Sequence, residues 1–347
     1  MNRHTAMNVM GWPLAAAALA VVLGAARARA ADENVVVLKA AMVQDEDGNP
    51  LAAGKKAAEE LKQAMGEIPL KAVIVSECFE DRENKEQLLE GVCSVLPAEK
   101  VFGAATYGSF AQEGSAGFDS VALLGIGGEG VGVATALVTD MGTAQLTFDK
   151  DQALIRQRLL AAGKKLAGSL ARTGNDRLLV LLADAHSPKN QFLVEGTQQA
   201  VGKGFPITGG CANKNAGQTF VYYQGKLHAD AAVALMLSGD FSVSLAGRQA
   251  NENEKVIATA KEGAAAALAA AKGKPVAVLA FDCAGRRGKL KKVEDELAAM
   301  QGPLGRELTL FGCYCAGEIG PVDTPDKDPA ALCGGSGWHV MFTVLAR

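Results

Sequence analysis

Beyond residue 30 the apolar positions fall into runs of two kinds. Runs spaced by three and four residues predict amphipathic helices over 52–66, 151–172 and 253–272. Each is followed by a short continuous apolar run, at 71–76, 177–183 and 275–281, which predicts a buried strand. A polar turn then leads to a second helical pattern, at 84–96, 189–203 and 288–301, and to a short strand that stops at Gly103, Gly209 or Gly312. The recurrence has a period of about 100 residues, the mark of one structural unit used three times.

Residue-level similarity supports the repeat. AVIVSEC (72–78) and AVLAFDC (277–283) align without a gap, each ending in an acid and a cysteine, and LLVLLADA (178–185) is a looser copy. VFGAATYGSF (101–110) matches LFGCYCAGEI (310–319), whereas PITGGCAN (206–213) shares only the strand and its glycine. Each unit is expected to close with a strand pair around a glycine-containing turn, at 120–138, 219–237 and, less clearly, 337–346. The alternation predicts an α/β protein in which mixed β-sheets are layered with helices, built from three related αβαβββ-type units.

The first thirty residues change the setting. Arg3 and His4 precede a nearly unbroken apolar run at 11–26, and Ala28-Arg29-Ala30 offers small residues for cleavage, so residues 1–30 read as a signal peptide. The run is shorter than the roughly 20 residues a spanning helix needs. The expected product is exported, periplasmic or secreted, with no membrane span after cleavage. Loss of Arg3, Arg27 and Arg29 leaves 32 basic against 38 acidic side chains, a net charge of −6. That balance argues against nucleic acid, whose binding needs clustered lysine and arginine. All seven cysteines (Cys78, Cys93, Cys211, Cys283, Cys313, Cys315 and Cys333) lie beyond the leader, and an oxidising compartment would allow one or two disulfides among them.

Three stretches carry candidate chemistry. The glycines at 125, 127, 128, 130 and 132 precede a β-rich run, so the helix that a dinucleotide fingerprint needs is missing. FDCAGRRG (281–288) sets Asp282, Cys283, Arg286 and Arg287 just past a buried strand, where α/β sheets present ligands and an arginine can clamp a carboxylate or phosphate. The bland reading pairs Asp282 with an arginine and packs Cys283 as a small hydrophobe. LFGCYCAGEIGPVD (310–323) brings backbone close through Gly312 and Gly317 and places Glu318 where it could accept an amine. Cys313 and Cys315 form a Cys-x-Cys, and a strand there is expected to send their side chains to opposite faces, which disfavours a shared metal. His186 follows Asp184 at the end of the second unit's strand, and Cys-His-Asp chemistry would require these groups to meet. No cofactor or metal is expected.

At FDCAGR, LFGCYCAGEIGP and PITGGCAN the chain resembles the FIST (F-box and intracellular signal transduction) family over about residues 35–346. Cys283, Arg286, Gly312, Gly317, Glu318, Ile319, Gly320 and Pro321 occupy the places of that family's C-terminal motif. Two positions depart from the family pattern: His339 has no asparagine after it, and Cys313 stands where an aromatic is usual. The resemblance implies a FIST N-like domain over 31–240 holding two units and a FIST C-like domain over 241–347 holding the third. It also implies a sensory module for small ligands such as amino acids, working with a separate signalling protein. The expected ligand-binding set is Asp282, Cys283, Arg286, Gly312, Cys313, Cys315, Gly317 and Glu318, with Arg286 on a carboxylate and Glu318 on an ammonium group. The alternative is a cysteine-dependent enzyme or thiol redox protein using Cys283 or Cys315.

Overall fold

The computed structural model describes Met1 and residues 36–347. The signal peptide expected over residues 1–30 lies, Met1 apart, outside these residues. From Val37 the chain follows one course three times: strand, helix, strand, helix, strand, a short hairpin and a return strand. Unit 1 comprises β1 (Val37–Gln44), α1 (Pro50–Met65), β2 (Leu70–Glu77), α2 (Arg82–Cys93), β3 (Val101–Ala105), the hairpin β4 (Ser109–Ala111) and β5 (Gly114–Ala116), and β6 (Ser120–Gly127). Unit 2 comprises β7 (Val131–Val138), α3 (Phe148–Gly168), β8 (Asp176–Ala183), α4 (Asn190–Val201), β9 (Ile207–Cys211), the hairpin β10 (Val221–Tyr223) and β11 (Lys226–His228), and β12 (Ala232–Gly239). Unit 3 comprises β13 (Ser242–Gln249), α5 (Asn253–Ala269), β14 (Pro275–Cys283), the single turn α6 (Ala284–Arg287), α7 (Val293–Leu304), β15 (Thr309–Cys315), the hairpin β16 (Glu318–Gly320) and β17 (Gly334–Ser336), and β18 (His339–Ala346).

Four strands of each unit form a mixed sheet, in the orders β1-β6-β2-β3, β7-β12-β8-β9 and β13-β18-β14-β15. The hairpins do not stay at home. β4 pairs with β15, β10 with β3, and β16 with β9, so every unit completes the sheet of another and the exchange runs in a closed ring. Cutting the chain in the link between Gly239 and Ser242 would therefore leave hairpins stranded on both sides.

The three sheets turn one face toward a shared apolar core that includes Leu38, Ile74, Phe102, Leu178, Val180, Leu182, Phe281 and Phe311, with helices over the outer faces. Period-two alternation sorts the side chains: in β2, Ala72 and Ile74 point to the shared core, and Val73 and Val75 to α1 and α2. Local signals start the helices. Asn49 accepts from the Ala52 N–H ahead of Pro50, and Asp81 accepts from the Asn84 N–H. The two helices of units 1 and 2 cross at glycines, Gly54 with Gly91 and Gly163 with Gly196, where a carbonyl oxygen sits where a Cβ would go.

The structure corrects four expectations. Residues 120–138 are not a strand pair: β6 lies between β1 and β2 while β7 pairs with β12 in another sheet, so the glycine turn is a passage between sheets. Residues 337–346 supply one strand, β18, whose partners are β13 and β14. The opening strands β1 and β13 had no counterpart in the predicted elements. In unit 3 the second helix begins at Val293 rather than 288, because the one-turn α6 precedes it.

Candidate functional site

The parallel pairs fix which residues are equivalent. Val75, Leu181 and Ala280 stand opposite Gly103, Gly209 and Gly312. A Cβ on Gly209, whose φ is 152°, would lie 1.9 Å from the Leu181 oxygen, which shows how closely these strands approach. Three residues further on come Cys78, Asp184 and Cys283. Facing them are Asp119, Asp230 and Trp338, all left-handed with φ of 54°, 47° and 63°. Their carbonyls accept the N–H groups of Asp45, Met141 and Ala250 in turn. Left-handed backbone at a non-glycine residue is uncommon and costly. Its threefold recurrence marks one end of the molecule, at the carboxyl ends of the parallel strands, where α/β proteins meet ligands.

In unit 3 the residues singled out from sequence are buried and committed to one another. Arg286 Nε donates to Asp282 Oδ1 at 2.8 Å, Nη1 to Thr259 Oγ1 at 3.1 Å, and Nη2 to the Val256 carbonyl at 3.0 Å and to Glu296 Oε1 at 2.7 Å. The arginine is 0% exposed, so the expected ligand clamp is corrected to an internal tie. Gly312 and Gly317 approach protein: a Cβ on the first would strike the Phe110 ring and on the second the Asn190 amide. The Cys313 and Cys315 sulfurs lie on the same face, 3.6 Å apart, because strand residues two apart share a face. The expectation of opposite faces is therefore wrong. All seven cysteines are free thiols, so the one or two disulfides that an oxidising compartment would allow are not formed here. Among the described residues no cluster of three or more His, Cys, Asp or Glu side chains could hold a metal ion.

Glu318 projects from β16 into this buried region. Its Oε2 accepts the His339 N–H at 3.0 Å, and Oε1 has no partner. Burial pushes its carboxyl well above the usual range, against the His339 N–H, and the Asp282 carboxylate adds to the rise. Burial, with Glu318 nearby, likewise pushes the Cys283 thiol up to about 12. A carboxyl whose folded pKa is raised stabilises fully below its unfolded pKa and loses that contribution as pH rises toward the folded pKa. Glu318→Gln, an isostere of the neutral acid, should flatten the stability-versus-pH curve above pH 4.5, by a slope of up to about 1.4 kcal/mol per pH unit. Its melting temperature should gain on wild type at pH 8 and not at pH 4. Parallel curves for the two proteins would place the ionised form in the fold.

The three equivalent ends differ in how they are filled. Four residues beyond Cys78, Asp184 and Cys283 stand Arg82, Pro188 and Arg287. Arg287 lies over the rings of Tyr107 and Tyr314, at 5.2 and 5.5 Å, with Phe118 edge-on to Tyr107. Trp338 lies against Gly285 and takes the Lys289 ammonium at 5.6 Å. At the end of β8, in contrast, a cleft of about 640 Å³ opens between units 1 and 2. It is lined by Asp184, His186, Lys189, Lys214, Asp230 and Arg82, and by the 143–147 and 217–220 segments.

The cleft is braced from within. Lys189 Nζ donates to the carbonyls of Thr143 and Leu146 at 2.9 and 2.7 Å. Asp230 accepts from the Gly142 and Thr143 N–H groups at 2.6 and 3.1 Å, and its own N–H donates to Asp184 Oδ2 at 2.9 Å. Other groups are left over. Thr143 is 1% exposed, yet its hydroxyl has no hydrogen-bond partner, and the Lys214 ammonium makes neither hydrogen bond nor ion pair among the described residues. Burial pushes the His186 imidazole below its ordinary pKa; Asp184 opposes this, and Lys189 and Lys214 add to it. Sequence reasoning noted Asp184 and His186 but missed Thr143, Lys189, Lys214 and Asp230. The available signal was Asp184 standing where the other units have cysteine.

A family model for the FIST N domain matches residues 71–264, and one for the FIST C domain matches residues 231–321. No curated protein matches the chain. Among solved structures, a cyanuric acid hydrolase is similar with a TM-score of 0.46 and 9% identity over 90% of this chain and 99% of its own. A second, from A. caulinodans, gives a TM-score of 0.45 and 11% identity over 90% of this chain and 100% of its own. A thiamine-monophosphate kinase from Stenotrophomonas maltophilia K279a gives a TM-score of 0.22 and 9% identity over 60% and 76%. Among the described residues no helix is long and apolar enough to cross a membrane.

Proposed function

The chain belongs to the FIST family of sensory signal-transduction domains, with its N and C domains in tandem, and on that premise we propose that it is an exported sensor of a small polar metabolite such as an amino acid. The ligand enters the cleft between units 1 and 2, and the bound state is passed to a separate signalling protein. The observation that carries this reading is the Thr143 hydroxyl, buried in the cleft wall without a partner. A buried polar group left unsatisfied costs about 1–3 kcal/mol, and a ligand atom that fills the gap recovers it. Where the hairpin of unit 2 crosses to the sheet of unit 1, a ligand also touches elements whose relative position a partner would sense.

A cysteine-dependent enzyme is the weaker reading. The thiolate is the nucleophile, whereas burial and Glu318 push Cys283 up to about 12, and the Cys313 hydrogen bond and burial push Cys315 well above its ordinary value.

Thermal shift with a panel of amino acids and related metabolites tests the proposal. Thr143→Val should leave the ligand-free protein as stable as wild type, or more stable by about 1 kcal/mol, because it removes an unpaired hydroxyl. The same variant should lose the ligand-induced shift. A full shift in Thr143→Val would move the ligand to another place.

A further inference from the structure

Resting on that reading, we propose that the cleft takes the oxyanion end of its ligand together with one proton, the oxyanion meeting Lys214 and the Thr143 hydroxyl and the proton settling on His186. The chemical class is a small molecule with a carboxylate, sulfate or phosphate group, and its binding is a joint readout of ligand and acidity.

The charge distribution supports this. The cleft holds three permanent cations, Lys189 at the start of α4, Lys214 in the segment after β9 and Arg82 at the start of α2. Against them stand two carboxylates, Asp184 at the end of β8 and Asp230 in the turn before β12. Both Asp230 oxygens are occupied by backbone N–H groups, and one Asp184 oxygen by the Asp230 N–H. Lys189 spends two of its three protons on the 143–147 segment, and Arg82 pairs with Glu86 at 2.7 Å. The uncommitted donors are therefore Lys214, the Thr143 hydroxyl and the His186 ring, whose side chain makes no hydrogen bond among the described residues. With Arg82 paired to Glu86, the two lysines and two aspartates balance, and the three unspent donors fit an oxyanion, which presents acceptors only.

The proton follows from the same groups. In the empty cleft burial weighs most against the imidazolium and Lys189 and Lys214 add to it, with Asp184 alone in its favour, so the ring binds its proton less readily than a free imidazole. An oxyanion beside Lys214 offsets the two lysines and gives the second ring nitrogen an acceptor. The ring then takes a proton from solvent. By linkage, affinity must rise as pH falls between the pKa of the bound and of the empty state, and stay level below both.

Sulfate is the probe, because it remains a dianion across the useful pH range. Isothermal titration of the full chain between pH 5 and 8, in two buffers of different ionisation heat, reads affinity and proton uptake together. Wild type should take up as much as one proton per sulfate and bind up to about tenfold more tightly per pH unit of acidification. His186→Gln should bind with neither uptake nor slope. Lys214→Met should weaken binding by about tenfold or more, and Lys214→Arg should retain it. Sulfate binding that is independent of pH, or unchanged in Lys214→Met, overturns the inference. Absence of sulfate binding, with an uncharged metabolite giving a shift that needs Thr143, overturns it while leaving the cleft as the ligand site. If neither ligand gives a Thr143-dependent response, both the inference and the reading beneath it fall.

Discussion

Arg286→Met is expected to lower the free energy of unfolding by about 3–5 kcal/mol, the usual loss when one partner of a buried ion pair is removed. Methionine fills much of the space but leaves Asp282 and Glu296 facing each other, each 0% exposed. Asp282 keeps only the Cys283 N–H, and Glu296 keeps the Tyr314 hydroxyl at 3.4 Å. Burial already pushes both carboxyls up in the presence of the arginine, and the Asp282 charge adds to the rise at Glu296. Without Arg286 both must fold as neutral acids, so they take up protons on folding. The deficit should shrink at pH 5 and grow at pH 8. Urea denaturation across that range provides the measurement, and Lys85→Met offers a parallel in unit 1, where Lys85 lies 3.2 Å from the buried Glu77. A loss under about 1 kcal/mol would mean that the guanidinium is dispensable to the fold, and would return Arg286 to the list of ligand groups. The ligand response of whatever variant protein folds should match wild type, since Arg286 lies outside the cleft.

Residue type alone could not separate these roles. Asp282, Cys283, Arg286 and Glu318 form a plausible ligand constellation at a strand end, and only the packing shows that the arginine's hydrogen bonds are taken by Thr259 and Val256 of α5 and Glu296 of α7. The repeat was legible because AVIVSEC and AVLAFDC share a register, with Val75 and Ala280 opposite Gly103 and Gly312. The exchange of hairpins was not, because strands of three residues carry no periodicity and their partners are remote: Gly312 pairs with Phe110. β6 and β7 read as one hairpin for the same reason, since a glycine turn between alternating strands looks alike whether the chain returns to its own sheet or crosses to the next. The cleft escaped notice because its parts are scattered. Thr143 meets Asp230, and Lys189 reaches back to Leu146, contacts between residues remote in sequence that exist only once unit 2 has folded.

Gly163→Ala should destabilise the protein by about 2–3 kcal/mol, although alanine is the better helix former by about 1 kcal/mol. The reason is the crossing of α3 and α4. A Cβ on Gly163 would lie 2.2 Å from the Leu193 carbonyl oxygen and 2.7 Å from the Thr197 nitrogen, and both are backbone atoms of a packed helix. Rotamer changes cannot relieve that overlap. The helices must separate, and the separation strains the contacts of Leu159, Leu166 and Leu193 in the layer beneath. Gly196, with the Leu160 oxygen 2.3 Å from its Cβ position, leaves no slack on the other side of the crossing. Gly168, in the same helix, is the control: its Cβ position has nothing within 4 Å. Gly168→Ala should therefore stabilise, by up to about 1 kcal/mol, through helix propensity and a less flexible unfolded chain. Chemical denaturation of the two variants separates the effects, because one substitution in one helix should move the midpoint down at residue 163 and up at residue 168. Equal midpoints would show that α3 and α4 are not in close contact, and the Gly54 and Gly91 crossing of unit 1 would lose its support with them.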